Sequence, residues 1–445
     1  MNEVIHTPKK LTSFQIIILG FLGVILLGSF LLMLPISSKE GIFTPFHEAL
    51  FTATSAVCVT GLVVKDTATY WSLFGQFVIL LLIQIGGLGV VTIAVSFALL
   101  SGKKISLMQR STMQEAIAAH KVGGIVRLTG FILKATFLIE LIGALIMMPI
   151  FCKKYDLLGV WMALFHSISA FCNAGFDILG TTNAVFPSLT SYAADPVITT
   201  TIMLLIIIGG IGFLTWEDIC IHKHHFHHYH MQSKVILVTT LFLIVIPTVF
   251  FAIHEFYDLP AQERLLKSLF QAVTPRTAGF NTVDLTAMSS AAQTILIILM
   301  LIGGAPGSTA GGMKTTTFAV LIGNCLAIFQ RRDHINFFGR RVEEATIKNA
   351  STILSMYICL FVGGALLISI IEGLPMGVCL FETASAVGTV GLTLGITPQL
   401  SIFSQSILII LMFLGRVGGL TLIYATISSN HKHLSKLPQG KITVG

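Results

Sequence analysis

Charged side chains are scarce in this chain. Only 11% of its 445 residues are Asp, Glu, Lys or Arg, whereas 54% are hydrophobic, and the mean hydropathy is +0.88. Soluble proteins usually carry about 25% charged residues. This shortage excludes an ordinary soluble domain, and the long apolar runs predict an integral membrane protein.

The sequence also lacks the cysteine spacing of a metal site, a redox site or a disulfide framework. Its seven cysteines are scattered and their number is odd. Cys58 and Cys172 occupy the same place in two internal repeats, three residues before a glycine. We interpret both as small packing residues.

Ionisable groups at membrane depth are few, and they do not converge. They are Lys134, Glu140, Lys314 and Arg416, in different parts of the chain. A membrane-embedded enzyme would need a nucleophile with a base, or paired acids, at one depth. A proton-coupled carrier would need a relay of carboxylates, for which only Glu140 qualifies. Because no nucleophile with a base and no acid pair is found at one depth, we expect no enzymatic activity.

What the chain does contain is a motif that occurs four times, with a period of roughly one hundred residues. Each copy begins with Leu-Phe, continues through about two helical turns of short residues, and then reaches a glycine. The third copy is one residue shorter between its Phe and its Gly. The copies read ALFTATSAVCVTGL from residue 49, ALFHSISAFCNAGF from 163, SLFQAVTPRTAGF from 268 and LFETASAVGTVGL from 380.

A second motif repeats in the same register, further along each copy. Its second position is always Gly, and Thr follows six residues later. Such glycines are typical of helix packing in lipid, and this interpretation is compatible with the repeat. The copies are IGGLGVVT at 85–92, IGGIGFLT at 208–215, IGGAPGST at 302–309 and LGRVGGLT at 414–421.

Each repeat is predicted to contain an incoming spanning helix, a half-helix about half a bilayer long, an extended loop and an outgoing spanning helix. The predicted fold is an all-α membrane protein whose four covalently linked repeats surround one ion pore with pseudo-fourfold symmetry. The predicted incoming helices are 13–36, 128–150, 235–253 and 347–371. The half-helices are 46–56, 161–171, 261–273 and 377–386. The outgoing helices are 73–100, 197–215, a broken helix from about 292 and 407–427.

The predicted divisions follow from these repeats. They are repeat 1 at 1–100, a cytoplasmic link with repeat 2 at 101–220, a link with repeat 3 at 221–330, a link with repeat 4 at 331–430, and a cytoplasmic tail at 431–445. The termini and links hold 17 Lys and Arg, whereas the opposite side holds seven and twelve acids. By the positive-inside rule, both termini are expected to be cytoplasmic in a multi-pass protein of the cell membrane.

Extended backbone at membrane depth survives only inside protein or beside water. Four such loops around one axis can offer carbonyl oxygens to a dehydrated cation, and the C-terminal ends of the half-helices favour positive charge. Glycine adopts positive φ at low cost, so its carbonyl can turn inward. The predicted selectivity filter consists of Val59, Thr60, Gly61, Asn173, Ala174, Gly175, Thr277, Ala278, Gly279, Thr389, Val390 and Gly391.

The third outgoing helix cannot be continuous. Residues 303–312 read GGAPGSTAGG, and in a helix each Gly costs about 1 kcal/mol and Pro about 3 kcal/mol. The segment follows the filter glycine by 24 residues, so we expect it to plug the pore below the filter. The predicted gate consists of Gly303, Gly304, Ala305, Pro306, Gly307, Ser308, Thr309, Ala310, Gly311, Gly312, Lys314 and Arg416.

Two further features of this region bear on its function. A nucleotide-binding P-loop is rejected because Met313 replaces the glycine required before Lys314 and no strand precedes the segment. Arg416 replaces a glycine of the other copies, and a charge in an apolar helix is costly. We expect it to hydrogen-bond carbonyls of 303–312 and to form a positive barrier to cations. A purely structural bond to backbone or to a helix C-terminus is the alternative.

These repeats and the glycine-rich third outgoing helix resemble the Trk/Ktr/HKT superfamily of potassium transporters, above all its bacterial KtrB membrane subunits. The resemblance implies potassium uptake, with potassium bound at the carbonyls of Gly61, Gly175, Gly279 and Gly391. In that superfamily Ser at the first of these positions goes with sodium permeation, so Gly61 favours potassium. The TVGYG signature of potassium channels is absent, so fewer binding sites are sharply defined.

The resemblance also implies a homodimer, a gate made by the intramembrane loop, and dependence on sodium as an activating ion. Control would come from a separate cytoplasmic ring of RCK-type, KtrA-like subunits that bind ATP or ADP, while this chain binds neither nucleotide nor nucleic acid. A sodium-permeable or proton-coupled cation carrier of the same architecture stays open. The tract HKHHFHHYH at 222–230 is interpreted as a solvated basic patch rather than a metal site.

Overall fold

The computed structural model describes residues 12–100, 105–117 and 123–418, and the described chain is almost entirely helical. Residues 1–11, the tail 431–445 and Thr421 of the second motif lie outside the described residues. The first repeat contains α1 (Ser13–Met33), α2 (Phe46–Val57), α3 (Leu73–Leu88) and α4 (Val90–Leu100), and α5 (Leu107–Ile117) follows it. The second contains α6 (Ile125–Tyr155), α7 (Leu158–Phe171), α8 (Pro196–Gly210) and α9 (Phe213–His222).

The other two repeats follow the same order of elements. The third contains α10 (Met231–Phe250) with a π-helical extension (Phe251–Glu255), α11 (Ala261–Val273), α12 (Ser290–Leu301) and α13 (Thr315–Phe329). A short antiparallel hairpin, β1 (Asn336–Phe337) with β2 (Arg340–Arg341), precedes the fourth. The fourth contains α14 (Glu344–Glu372), α15 (Met376–Gly388) and α16 (Ile402–Val417).

The helix starts follow local capping chemistry. Prolines 45, 260 and 375 immediately precede the half-helices α2, α11 and α15, and the fixed φ of proline suits a helix start. Each outgoing helix begins after a side chain that accepts a hydrogen bond from a backbone N–H of the first turn. These caps are Ser72, Asp195, Ser289 and Ser401.

The predicted half-helices are present, but the outgoing helices differ from the prediction. The continuous helices predicted over 73–100 and 197–215 are wrong, because α3 is separated from α4 at Gly89 and α8 meets α9 at a 97° bend. Gly89, Gly212 and Gly418 have φ of 87°, 90° and 86°, so the regular helix stops there. The regular helix of the fourth repeat ends at Val417, and residues 419–427 of its predicted range lie outside the described residues.

The incoming helices are the continuous spans of the described chain. Four helices are long and apolar enough to cross a membrane, or five if the bent α8–α9 pair counts as one span. α6 continues through Pro149 to Tyr155 instead of ending at the proline. Phe137, Leu141 and Leu145 of this helix are more than half exposed, and their spacing gives α6 one apolar face for lipid.

The four repeats contact each other in a closed cycle. In each case the outgoing helix of one repeat contacts the half-helix of the next repeat, and the last returns to the first. The pairs are α3 with α7, α8 with α11, α12 with α15, and α16 with α2. The half-helices therefore lie inside the structure, and the Phe of each Leu-Phe pair has no exposed surface: Phe51, Phe165, Phe270 and Phe381.

Glycines of the second motif let the half-helices approach the outgoing helices closely. A Cβ added to Gly86 would clash with the carbonyl oxygen of Val57, at the end of α2. The same clash would occur between Gly209 and Phe171, and between Gly415 and Val387. Lipid tails are as apolar as the helix surfaces, so close van der Waals packing has to stabilise these contacts.

We expect Gly86→Ala to destabilise the protein by about 1–3 kcal/mol, the usual cost of forcing extra atoms into a packed interior. Gly23→Ala is the matched control, because an added Cβ on that helical glycine meets nothing within 4 Å. The measurement is the thermal midpoint of the detergent-purified variants, followed by size-exclusion chromatography. Equal midpoints for the two variants would contradict the proposed packing role.

Candidate functional site

Four extended loops meet where the half-helices end. The half-helices α2, α7, α11 and α15 end at Val57, Phe171, Val273 and Gly388. All twelve residues of the predicted filter are buried. Every residue of that prediction therefore lies in the interior of the protein.

The four loop glycines form a closed ring. A Cβ added to any of them would clash with a carbonyl oxygen of the next loop, and for the first two glycines the distance is 2.5 Å. The fourth glycine closes the ring on the first loop. The contacts are Gly61 with Ala174, Gly175 with Ala278, Gly279 with Val390, and Gly391 with Thr60.

The backbone of each loop turns through the left-handed region twice. The first turn is at a non-glycine residue two positions before the glycine, where such φ values are rare and need support from the surrounding structure. Val59, Thr277 and Thr389 are β-branched, and for such residues a positive φ is a genuine outlier. The φ values are 51° at Val59, 57° at Asn173, 64° at Thr277 and 51° at Thr389, and 89°, 69°, 76° and 97° at the glycines.

A hydroxyl side chain near the end of each half-helix provides part of that support. Each hydroxyl bonds either the glycine N–H or the carbonyl of the residue after it. The bonds are Gly61 N–H to Ser55 (3.0 Å), Gly391 N–H to Ser385 (3.0 Å), Ser169 to the Phe176 carbonyl (2.7 Å) and Thr274 to the Phe280 carbonyl (2.6 Å). These four residues were not among those predicted from the sequence. Their signal was a Ser or Thr six residues before each glycine, or five in the shorter third copy.

The intramembrane loop 303–312 lies against the second and fourth repeats. Its N–H groups at Ala305 and Thr309 donate to the carbonyls of Gly210 (2.9 Å) and Gly209 (3.3 Å). The N–H of Gly312 donates to the Gly415 carbonyl at 3.2 Å. The loop is therefore held by backbone groups at the ends of two outgoing helices.

Side chains connect the same loop to the glycine ring. The Thr309 hydroxyl lies within donating distance of the Phe171 carbonyl (3.1 Å) and of Asn173 Oδ1 (3.0 Å). A Cβ added to Gly311 would clash with the side chain of Thr389. The loop thus contacts the second and fourth loops of the ring directly.

Arg416 joins the intramembrane loop to the first repeat. Its guanidinium donates to the carbonyl of Thr309 and to the carbonyls of Gly86 and Gly87, the last at 3.1 Å. Lys314 donates to the Ala310 carbonyl at 2.8 Å. In the described part of the chain neither cation has a carboxylate within ion-pair distance. Backbone carbonyls are thus the hydrogen-bond partners of both side chains at this loop.

Comparison with known proteins identifies the family. A sequence model of the TrkH family, described as a cation transport protein, matches residues 5–435. The chain belongs to this family. The potassium/sodium uptake protein NtpJ of Enterococcus hirae is 38% identical, with 98% of each chain covered. The Ktr system potassium uptake protein B of Bacillus subtilis is 37% identical, with 98% of this chain and 97% of that protein covered.

A solved structure shares the fold of this TrkH family member. The crystal structure of the potassium transporter TrkH from Vibrio parahaemolyticus superimposes with a TM-score of 0.73, covering 96% of this chain and 87% of the other, at 18% identity. The resemblance to the Trk/Ktr group is thereby confirmed, as is the integral membrane class. The expectation that the chain is not an enzyme is also confirmed, because its relatives are ion uptake proteins.

Two other sequence features lie outside the ring of this TrkH family member. Glu140 accepts hydrogen bonds from Gln84 of α3 at 3.0 and 3.3 Å, a partner that the sequence did not indicate. In the histidine tract, His230 lies 2.6 Å from Asp218. Among the described residues no cluster of three or more His, Cys, Asp or Glu side chains could hold a metal ion.

We expect Thr309→Val to loosen the intramembrane loop, because the change removes the hydroxyl that reaches α7 and Asn173. Loss of a hydrogen bond worth about 1 kcal/mol should raise amide exchange at Ala305 and Gly312 about fivefold. Hydrogen–deuterium exchange with mass spectrometry measures this. Ser308→Ala is the control, since its hydroxyl bonds Ala305 inside the loop. Unchanged exchange in a folded Thr309→Val variant would refute the anchoring role.

Proposed function

We propose that this TrkH family member takes up potassium across the cell membrane through a selectivity filter made of the four non-identical loops. The closed ring of Gly61, Gly175, Gly279 and Gly391 is the observation that carries the proposal. Four inward-turned sets of carbonyl oxygens can replace the hydration shell of a monovalent cation. The C-terminal ends of four half-helices add partial negative charge at the same place.

Potassium is the transported ion that we favour. The four repeats would surround its path with pseudo-fourfold symmetry. The relatives named above are potassium uptake proteins by name, and Gly61 stands where Ser goes with sodium permeation in the superfamily. The name of NtpJ includes sodium, which supports a sodium-permeable transporter of the same architecture as the second candidate. A proton-coupled carrier is the weaker alternative, because it would need a relay of carboxylates and the sequence indicated only Glu140 as a member.

We infer that residues 303–312, with Lys314 and Arg416, form the gate. The loop contacts two of the four ring loops, and Arg416 joins it to α3 of the first repeat. The guanidinium of Arg416, which has no carboxylate within ion-pair distance among the described residues, opposes a cation on its way inward. Opening would then require the loop to leave the carbonyls of Gly209, Gly210 and Gly415.

Assembly and control are proposed from the family resemblance. The Ktr system name of relatives implies further subunits, in accord with a homodimer regulated by a cytoplasmic RCK-type ring that binds ATP or ADP. The excess of basic residues in the termini and links supports cytoplasmic termini. Activation by sodium belongs to the same proposal.

Gly61→Ser tests the filter. We expect uptake of potassium relative to sodium to fall about tenfold, because an added Cβ would displace the Ala174 carbonyl at a cost of about 1–3 kcal/mol. Labelled rubidium and sodium uptake are measured in potassium-starved bacteria that lack their own potassium uptake systems. Gly41→Ser is the control, since that glycine also has positive φ but open space around it. A wild-type ratio in Gly61→Ser would contradict the filter, and faster sodium than rubidium uptake by the unaltered protein would favour the second candidate.

Shortening residues 305–311 tests the gate. We expect potassium flux to rise several-fold, and Arg416→Ala to raise it as well, because both changes release the loop and the second also removes a positive charge. Tracer flux into liposomes at equal protein content is the measurement. Arg341→Ala, which alters only an exposed ion pair with Glu344 at 3.5 Å, is the control. Unchanged or lower flux in well-folded variants would exclude this gate.

A further inference from the structure

One position of the half-helices is polar in every repeat and chemically different in each. It directly follows the buried Phe of the Leu-Phe pair. The residues are Thr52, His166, Gln271 and Glu382, and none is more than 1% exposed. Fully buried polar groups normally need hydrogen-bond partners, so the partners show what each residue does for its loop.

Within the described chain, three of the four make no hydrogen bond to the segment that follows the loop glycine. Thr52 donates to the Glu48 carbonyl of its own helix at 2.9 Å. His166 Nδ1 lies 2.7 Å from the Met162 carbonyl, also within its own helix. The side-chain amide of Gln271 has no hydrogen-bond partner among the described residues.

Glu382 is different, because its carboxylate reaches the segment that follows Gly391. Oε2 accepts a hydrogen bond from the Thr393 hydroxyl at 2.8 Å, and Oε1 accepts one from the Thr397 hydroxyl. The Thr393 oxygen in turn accepts the N–H of Gly395 at 3.0 Å. One carboxylate therefore ties half-helix α15 to two residues of the segment that follows Gly391.

In other repeats, the segment that follows the loop glycine is held by different contacts. In the third loop, the backbone of Asn281 exchanges hydrogen bonds of 2.8 Å with Ser188 and Leu189 of the long link in the second repeat. In the first loop, Lys65 pairs with Glu48 at 3.2 Å. The fourth loop thus depends on Glu382 to anchor the segment after its glycine, whereas the first and third loops use other residues.

Placing a carboxylate here is costly. Glu382 has no exposed surface, and in the described chain no Lys, Arg or His lies within ion-pair distance of it. A buried carboxyl without a counter-charge depends on hydrogen bonds for its stability. The hydrogen bonds from Thr393 and Thr397 therefore have to offset the desolvation of the Glu382 carboxylate.

We propose that Glu382 is a positioning residue that sets ion selectivity by holding the fourth loop through Thr393 and Thr397. The inference rests on the proposed function, because selectivity matters only if the ring conducts ions. It assigns to Glu382 a role that Thr52, His166 and Gln271 do not share.

The test compares three changes at this network. In Glu382→Leu we expect the preference for potassium over sodium to fall about tenfold, equivalent to 1.4 kcal/mol. The double change Thr393→Val with Thr397→Val removes the same bonds from the other side and should give the same loss. Glu382→Gln keeps an acceptor and gains a donor, so it should stay within about twofold of the unaltered protein.

Two measurements separate this inference from the proposed function. Rubidium uptake with sodium competition gives the preference in transport. Thermal stabilisation of the purified protein by potassium or sodium chloride gives the preference in binding, because a bound ion stabilises the folded state. Absence of rubidium uptake in the unaltered protein would overturn the proposed function, whereas the difference in stabilisation tests Glu382 independently of transport.

Thr52→Val is the matched control, since it alters the equivalent position in a repeat where the side chain bonds only its own helix. Its selectivity should match that of the unaltered protein. Unchanged preference in both Glu382→Leu and the double threonine variant would overturn the inference. So would a Glu382→Gln variant as defective as Glu382→Leu. If Glu382→Leu does not fold, the double variant decides the question.

Discussion

The structure depends on one constraint: a peptide group inside a membrane needs a partner that lipid cannot supply. Each repeat places non-helical backbone at the end of a half-helix, where several carbonyl groups have no helical donor. Each repeat has a hydroxyl side chain near the end of its half-helix and two left-handed residues in its loop. The result is a ring in which each loop abuts the next. In the proposed function, a dehydrated cation is coordinated by the carbonyl oxygens that still lack a partner.

The same constraint explains the intramembrane loop. The outgoing helices α3, α8 and α16 stop early, so the carbonyls of their last turns lose the donors that a longer helix would provide. Amides of residues 303–312 donate to those of Gly209, Gly210 and Gly415, and Arg416 donates to those of Gly86 and Gly87. The loop and the arginine are thus substitutes for missing helix turns. If the loop leaves the pore on opening, as proposed, these carbonyls would have to be hydrated, which would couple opening to the entry of water.

Much of this architecture could be predicted from the residues. The Leu-Phe to Gly motif located the half-helices, and the glycine register identified the four loops that meet. The early ends of the outgoing helices were missed because apolar runs such as 73–100 satisfy every length and hydropathy criterion for a span. The break depends on a single glycine, Gly89, with positive φ, and an isolated glycine in an apolar helix also fits simple packing. The cyclic packing order and the contacts of Arg416 required three-dimensional information, because their partners are hundreds of residues away.

Equivalent positions in the four repeats carry different side chains, and these side chains make different contacts. Asn173 contacts the intramembrane loop, whereas Glu382 accepts a hydrogen bond from the segment that follows Gly391. A single chain with four quasi-equivalent loops can assign each loop a separate task, and a symmetric assembly of identical chains cannot.

The most direct test of the central claim is the position of a heavy potassium analogue in an experimental structure. Crystals grown in rubidium chloride would be measured at the rubidium absorption edge, and the anomalous difference map would be calculated. The account predicts a peak on the axis of the glycine ring, coordinated by carbonyl oxygens from all four loops. Rubidium bound elsewhere in the protein, with no peak inside a well-ordered ring, would contradict it.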